Sequence, residues 1–416
     1  MINKLKSRIY DFLRWSQKYT GTDNVYLAKG GFWLTLGQII SAGASFLLAV
    51  AFANLLDPVT YGNYKYIISM VGILGIFSLS GIGTAITQAV ARGLEGSFYT
   101  GFKIKLKWSL LGSLIAIGGA IYYWLRGNDI LPIPLLISAI FLPLMQASQV
   151  YGSFLTGKKL FSARVKYSSF SQIISVAAII ATLLLTKNLF WLIAIYLISH
   201  TILNFFFYWF TQKRFRPNKK DDPKTLSYGK HLSLMGIVTI IAGYIDKILL
   251  FTLIGSAQLA IYSFSIVVPE QIGSIIKKIR VLALPKLAVR ENKDIRKTIK
   301  VRAWKLAIFT AVMVIIYIAL APYIYKMFFP KYLDSILYSQ IFAISLIVAM
   351  PAYLLGIVFE AKAKKRELYI LKISPLIRTI LFVILIPPFG ILGAIMAIIT
   401  SKTFALILVL LLFRKF

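Results

Sequence analysis

Apolar residues run along this chain in long stretches broken by short polar segments. Twelve stretches stand out, at about 29–55, 61–90, 104–124, 132–155, 168–186, 189–210, 232–254, 259–279, 303–327, 333–359, 371–386 and 391–413. A run of about 20 apolar residues is long enough to cross a bilayer as a helix. Lipid offers no partner for backbone N–H and C=O, so only helices or closed barrels span it. Barrel strands are short and alternate in polarity; these runs do neither. The pattern predicts an all-α polytopic membrane protein of about 12 transmembrane helices. The composition agrees, with 58% hydrophobic residues and a mean hydropathy of +0.78.

Residues 1–28 differ from the rest. Ile2, Leu5, Ile9, Phe12 and Leu13 recur at helical spacing among Lys4, Lys6, Arg8 and Arg14, which predicts an amphipathic helix on the membrane surface rather than a cleavable signal peptide. The absence of cysteine excludes disulfides, thiolate metal sites and cysteine nucleophiles.

Charge sets the expected orientation. With the N-terminus on the cytoplasmic side, the loops on that side hold 39 Lys and Arg residues. The opposite side holds Lys65, Arg126, Lys187, Lys326 and Lys331. This asymmetry satisfies the positive-inside rule and places both termini in the cytoplasm. It also accounts for the net charge of +33 without nucleic acid, since anionic membrane lipids attract such loops. The aromatic run at 205–210 (FFFYWF) fits an interfacial belt.

The most polar stretch, 214–230, divides the chain. The expected organisation is an N-terminal segment (1–28), a six-helix bundle (29–212), a cytoplasmic linker (213–231) and a second six-helix bundle (232–416). At an offset of 198, residues 53–66 (ANLLDPVTYGNYKY) fall on 251–264 (FTLIGSAQLAIYSF), each ending one span, turning tightly and opening the next with Tyr64 or Tyr262. An even number of spans per half makes this a parallel repeat, an arrangement that encloses a central substrate path.

Three motifs carry a resemblance to a known family. They are Y-G-x-Y at 61–64 before a glycine-rich second span (Gly72, Gly75, Gly81, Gly83), the stretch 244–263 with its acidic–basic pair and I-Y-S, and IPPFGILGAIMA at 386–397. Together they resemble the O-antigen and capsule flippases of polysaccharide biosynthesis, within the multidrug/oligosaccharidyl-lipid/polysaccharide exporter superfamily. The resemblance implies a MATE-like fold in the cell inner membrane. It also implies alternating access, with an undecaprenyl-diphosphate-linked oligosaccharide carried from the cytoplasmic to the outer leaflet. A glycan polymerase and export machinery are the protein partners to expect. The middle of the first span offers only Gln38, Ser41 and Ser45 as polar groups, unlike the lipid II flippase branch with its arginine in this span.

No enzymatic role is expected, because every outer loop is only a few residues long and His200 and His231 are the only histidines. Neither a metal nor a cofactor is expected. Ionisable residues inside spans are costly and mark function. Five stand out: Asp246 and Lys247 in span seven, Glu270 after Pro269 in span eight, Arg378 in span eleven and Lys402 in span twelve. All lie in the C-terminal half. Lys247, Arg378 and Lys402 suit a diphosphate, arginine by bidentate contact. Arg378 is also shallow enough to snorkel. Asp246 and Glu270 suit a coupling proton or sodium ion, with coupling to membrane potential a further route. A structural Glu270–Lys402 salt bridge competes with these roles. Asp246 and Lys247 are expected to point about 100° apart, with Asp246 on the inner stripe Ser233, Gly236, Thr239, Gly243.

Neutral groups for sugar hydroxyls are expected from the N-terminal half. The candidates are Gln38, Ser41 and Ser45; Gln146, Gln149 and Ser153; Ser168, Gln172 and Ser175; and His200, Asn204 and Tyr208. Helix–helix hydrogen bonding is the competing use. Two other functions remain open on sequence: a cation-coupled multidrug exporter of the same superfamily, and a non-transporting partner in a glycan assembly complex.

Overall fold

The computed structural model describes residues 24–277, 287, 292–362 and 364–414. Most of the surface helix expected over 1–28 lies outside them. Among the described residues, nine helices are long and apolar enough to cross a membrane by themselves. Three further spans complete twelve. One is the bent pair Pro58–Ser78 and Ile82–Ala91, at 51° to each other. Another is Ser256–Ile276, whose 21 residues rise about 31 Å. The last arises because Ile373–Arg414 is broken at Gly390, whose φ of 56° and ψ of −128° are not helical.

The breaks follow from local sequence. Asp57 accepts a hydrogen bond from the Thr60 amide at 2.9 Å and Pro58 opens the second span, an N-cap followed by proline at the first helical position. Its counterpart at offset 198 is Gly255, at φ 103° between Ile254 and Ser256. The repeat therefore extends to the helix ends. In the closing motif, Pro387 and Pro388 precede Gly390, and a Cβ on Gly393 would sit 1.9 Å from the Leu385 carbonyl oxygen. Glycine alone permits both the backbone geometry and this approach.

Exposed apolar side chains such as Leu114, Ile121, Leu185, Phe309 and Ile315 face outward, as lipid requires. Trp124, Trp191 and Tyr323 are exposed near one end of their spans, Trp209 and Trp304 near the other. The 205–210 run is only half a belt. Phe207 and Tyr208 are buried, and Tyr208 stacks on Phe98 and Phe102 at 4.8 and 4.3 Å.

The linker is shorter than expected, because its flanking helices run on to Phe215 and from Thr225. Lys213 and Arg214 sit in the last turn of the sixth span, where cations favour helix continuation. The linker is held down by acidic groups. Asp221 accepts from Ser97 Oγ at 2.7 Å and Thr100 Oγ1 at 2.6 Å, Arg92 pairs with Asp222, and Lys158 pairs with Glu95. Three connections thus meet on one face, called here the basic side.

The two halves join along the second and seventh spans and at the foot of the eighth. A Cβ on Gly62 would stand 1.9 Å from the Ser256 carbonyl oxygen, one on Gly72 would enter the Tyr244 ring, and one on Gly81 would meet the Gly229 carbonyl oxygen at 2.6 Å. Ser233 Oγ accepts from the Gly81 amide at 3.0 Å in the same seam. Part of the predicted Asp246 stripe is thus a packing surface. Gly62→Ala is expected to destabilise by about 1–3 kcal/mol through overpacking. Gly118→Ala, with open space around it, should be neutral or gain up to about 1 kcal/mol. Thermal unfolding in detergent decides; equal melting temperatures for the two variants would refute this account of the seam.

Candidate functional site

The five expected intramembrane charges meet in one place. Asp246, Lys247, Glu270, Arg378 and Lys402 line a cavity of 440 Å³ between the halves. Gln38, Ser41 and Ser45 complete its wall from the first span, and Gln38 Nε2 donates to Ser274 Oγ at 3.3 Å across the halves. Lys277, at the basic end of the eighth span, also lines it. The five intramembrane charges singled out from sequence do not include it, because hydropathy falls toward that end of the span.

Within the cavity the charges are not equivalent. Asp246, 5% exposed, accepts a 2.6 Å hydrogen bond from Tyr262 Oη. Lys247 Nζ lies 3.3 Å from Asp246 Oδ1 and 3.3 Å from the Gly243 carbonyl oxygen. The two neighbours therefore do pair, contrary to the sequence expectation. A four-carbon lysine stem is long enough to curl back around the helix. Lys402 Nζ donates to Ser345 Oγ at 2.8 Å and lies 4.7 Å from the centre of the Phe342 ring. Among the described residues no ion pair joins it to Glu270. Arg378 Nε is buried with no hydrogen-bond partner.

The neutral candidates form a second region. Gln149, Ser168, Gln172, Ser175, His200 and Asn204 line a cavity of 470 Å³. Gln172 Nε2 donates to the Ser41 carbonyl oxygen and to Ser45 Oγ, both at 3.2 Å. A further cavity of 390 Å³ shares Gln149 and Arg164 with it and takes in Gln146 and Ser153. Tyr208 lines none of these; it belongs to the aromatic stack described above.

The N-terminal half is not neutral. Lys105, 6% exposed, lines the 390 Å³ cavity with Arg164, and Lys65 lies within electrostatic range of Lys247, Glu270 and Asp246. The expectation that all intramembrane charge lies in the C-terminal half is overturned. Helices start earlier than hydropathy suggests, at Pro58, Ser97 and Phe161, which sets Lys65 and Lys105 about two turns inside their helices and brings Arg164 into its own. One signal was available for Lys105. In K-I-K-L-K at 103–107, the middle lysine points about 160° away from its outer neighbours on a helix.

The end opposite the basic side is sealed. Tyr61 stacks on Phe264 with ring centres 4.6 Å apart, and Tyr66 on Phe251 at 3.9 Å. Asn54 Nδ2 donates to the Phe328 carbonyl oxygen at 3.0 Å, while Lys331 Nζ donates to the carbonyl oxygens of Asn54 at 2.8 Å and Leu56 at 3.2 Å. Lys331 thus caps the end of the first span from the other half, where a cation suits the helix dipole. The charged cavity reaches Lys277 at the basic side and is closed above.

Residues 27–279 match the model of the polysaccharide biosynthesis protein family. The chain belongs to that family. Its fold is that of the MOP superfamily. It is similar to the lipid II flippase MurJ in an inward closed conformation, at 14% identity and a TM-score of 0.66, covering 94% of this chain and 87% of that one. An inward-facing multidrug resistance MATE family transporter gives 13% identity and a TM-score of 0.64 over 91% of this chain and 94% of that one. An outward-facing one gives 14% and 0.55 over 94% and 95%. No curated protein sequence matches the chain.

For this family member, removing the Lys331 cap should loosen the seal. With no native cysteine, Leu56→Cys reports directly, since Leu56 is fully buried. Lys331→Met is expected to raise its maleimide labelling rate in nanodiscs several-fold. An unchanged rate would show that the aromatic stack closes this end without the lysine.

Proposed function

We propose that the protein flips an undecaprenyl-diphosphate-linked oligosaccharide from the cytoplasmic to the outer leaflet of the cell inner membrane. One observation carries the reading: Lys277, Arg378, Lys402 and the Asp246-paired Lys247 converge on a single cavity between the halves. With Glu270 the other carboxylate lining it, the cavity has a formal excess of two positive charges. A diphosphate needs such a cluster, and a cation held beside a neutral hydroxyl, as Lys402 is beside Ser345, stays available to it. The amide- and hydroxyl-lined cavities next to it suit the sugars. The basic side is then cytoplasmic, and the seal faces out.

Glu270 is exposed to the cavity, which suits reversible protonation or sodium binding during the cycle. The multidrug exporter reading fits less well, since a cationic drug would meet this excess of cations. A purely scaffolding partner has no use for them.

Reconstitution in liposomes tests the reading with a fluorescent undecaprenyl-diphosphate disaccharide. Wild type should translocate it. Lys402→Met should keep its melting temperature, since no carboxylate is stranded, and should lose flipping at least tenfold. Lys402→Arg should retain part. Loss of folding in Lys402→Met that Glu270→Gln restores would instead reveal a structural pair, because stranding one buried charge costs about 3–5 kcal/mol. Full flipping by a folded Lys402→Met protein would remove this residue from the site.

Orientation has its own test. A single cysteine in the 216–224 linker should react with a membrane-impermeant maleimide only after cells are opened. Labelling of intact cells would reverse the direction of transport proposed here.

A further inference from the structure

The N-terminal cavities hold a feature that the diphosphate reading does not use. Lys105 is 6% exposed and lines a 390 Å³ cavity. Among the described residues it has no hydrogen-bond or ion-pair partner. Arg164 shares the cavity, holding Thr156 Oγ1 at 2.7 Å through one terminal nitrogen. Among the described residues no Asp or Glu lines this cavity. A buried cation without a counter-charge is costly unless a ligand supplies one.

The site is not a lipid-facing notch. Tyr244 of the opposite half closes one wall, seated on Gly72, so the cavity lies between the halves. Its remaining lining includes Gln146 and Gln149, amides that can both donate to and accept from sugar hydroxyls. Through Gln149 and Arg164 it continues into the hydroxyl-lined cavity.

We infer that the glycan moved by this protein is acidic, and that Lys105 and Arg164 hold the carboxylate of a uronic-acid-type sugar while Gln146 and Gln149 hold its hydroxyls. The inference rests on the proposed flippase function and adds the substrate class. It also divides the labour of the cleft: the C-terminal half takes the diphosphate and the N-terminal half takes the charged sugar. One compact ammonium with one guanidinium suits a monoanionic carboxylate.

The test measures binding and transport separately, on the full chain. In detergent micelles, titration calorimetry compares a glucuronate-terminated disaccharide with its glucose-terminated analogue. Wild type is expected to bind the acidic probe at least tenfold more tightly. Lys105→Gln and Arg164→Gln should each erase most of that preference, and Lys105→Arg should keep it. If Lys105→Gln does not fold, Arg164→Gln decides, because that side chain is exposed. In liposomes, the same two sugars on undecaprenyl diphosphate are compared for flipping. Translocation of both at equal rates, or equal affinity for the two disaccharides, overturns the acidic-sugar inference and leaves the flippase reading intact. Translocation of neither overturns the flippase reading, while charge-selective, Lys105-dependent binding would still assign the site to an anionic sugar. Displacement of the acidic probe by equimolar glycerol 1-phosphate would assign these cations to a lipid headgroup and overturn the inference.

Discussion

A charged side chain inside a bilayer must find water, a counter-charge or an edge, and this requirement arranges the whole molecule. The lipid-facing surfaces of the spans are apolar. Charge within them is gathered into the cleft between the halves, where Lys105, Arg164, Lys247, Arg378 and Lys402 all line cavities. The acidic residues are distributed by the same rule. Glu95, Asp221 and Asp222 pin the linker on the basic side, and among the described residues Asp246 and Glu270 are the acidic side chains that line the central cavity.

Such a cleft needs walls that meet without filling it, and glycine supplies the contact. Gly62 and Gly81 let the second span approach the backbone of the other half, and Gly72 seats the Tyr244 ring, so much of the packing there uses main chain and leaves longer side chains for the cavity. Between the first and eighth spans a Gln38–Ser274 hydrogen bond crosses the cleft toward the basic side. One such bond nets only about 0.5–1.5 kcal/mol. The glycine seam, by contrast, holds close-packed surface together.

Much of this was legible in the sequence. Twelve apolar runs gave twelve spans, and the LDP and PPFG turns fell where the helices break, because proline, aspartate caps and glycine act locally. The five central charges were found because a charge deep in an apolar run is conspicuous. Lys65, Lys105, Arg164 and Lys277 were missed for the converse reason: each lies within about three turns of a helix end, where hydropathy grades smoothly into loop. The Asp246–Lys247 contact was misjudged because helix geometry fixes Cβ directions and not where a long stem can curl. Tyr208 and Ser233 were misplaced as polar stripes because the partner that buries them comes from elsewhere in the chain.

These corrections change the charge balance on which the competing functions differ. From sequence the cleft held three cations against two carboxylates, too close to separate an anion carrier from a cationic-drug carrier. In the structure Lys277, Lys105 and Arg164 join the cations lining the cavities, and no carboxylate is added. Asp246 is already occupied by Lys247 and the Tyr262 hydroxyl, so Glu270 alone remains to attract a cation. A lipophilic cation entering from the basic side would pass Lys277 and meet Arg378 and Lys402 before any free carboxylate but that one. An anionic headgroup with its sugars would find donors in both halves. Under the proposed function, discrimination by sign draws on the cleft's field as a whole, with Lys402 and Lys105 contributing to it from opposite halves.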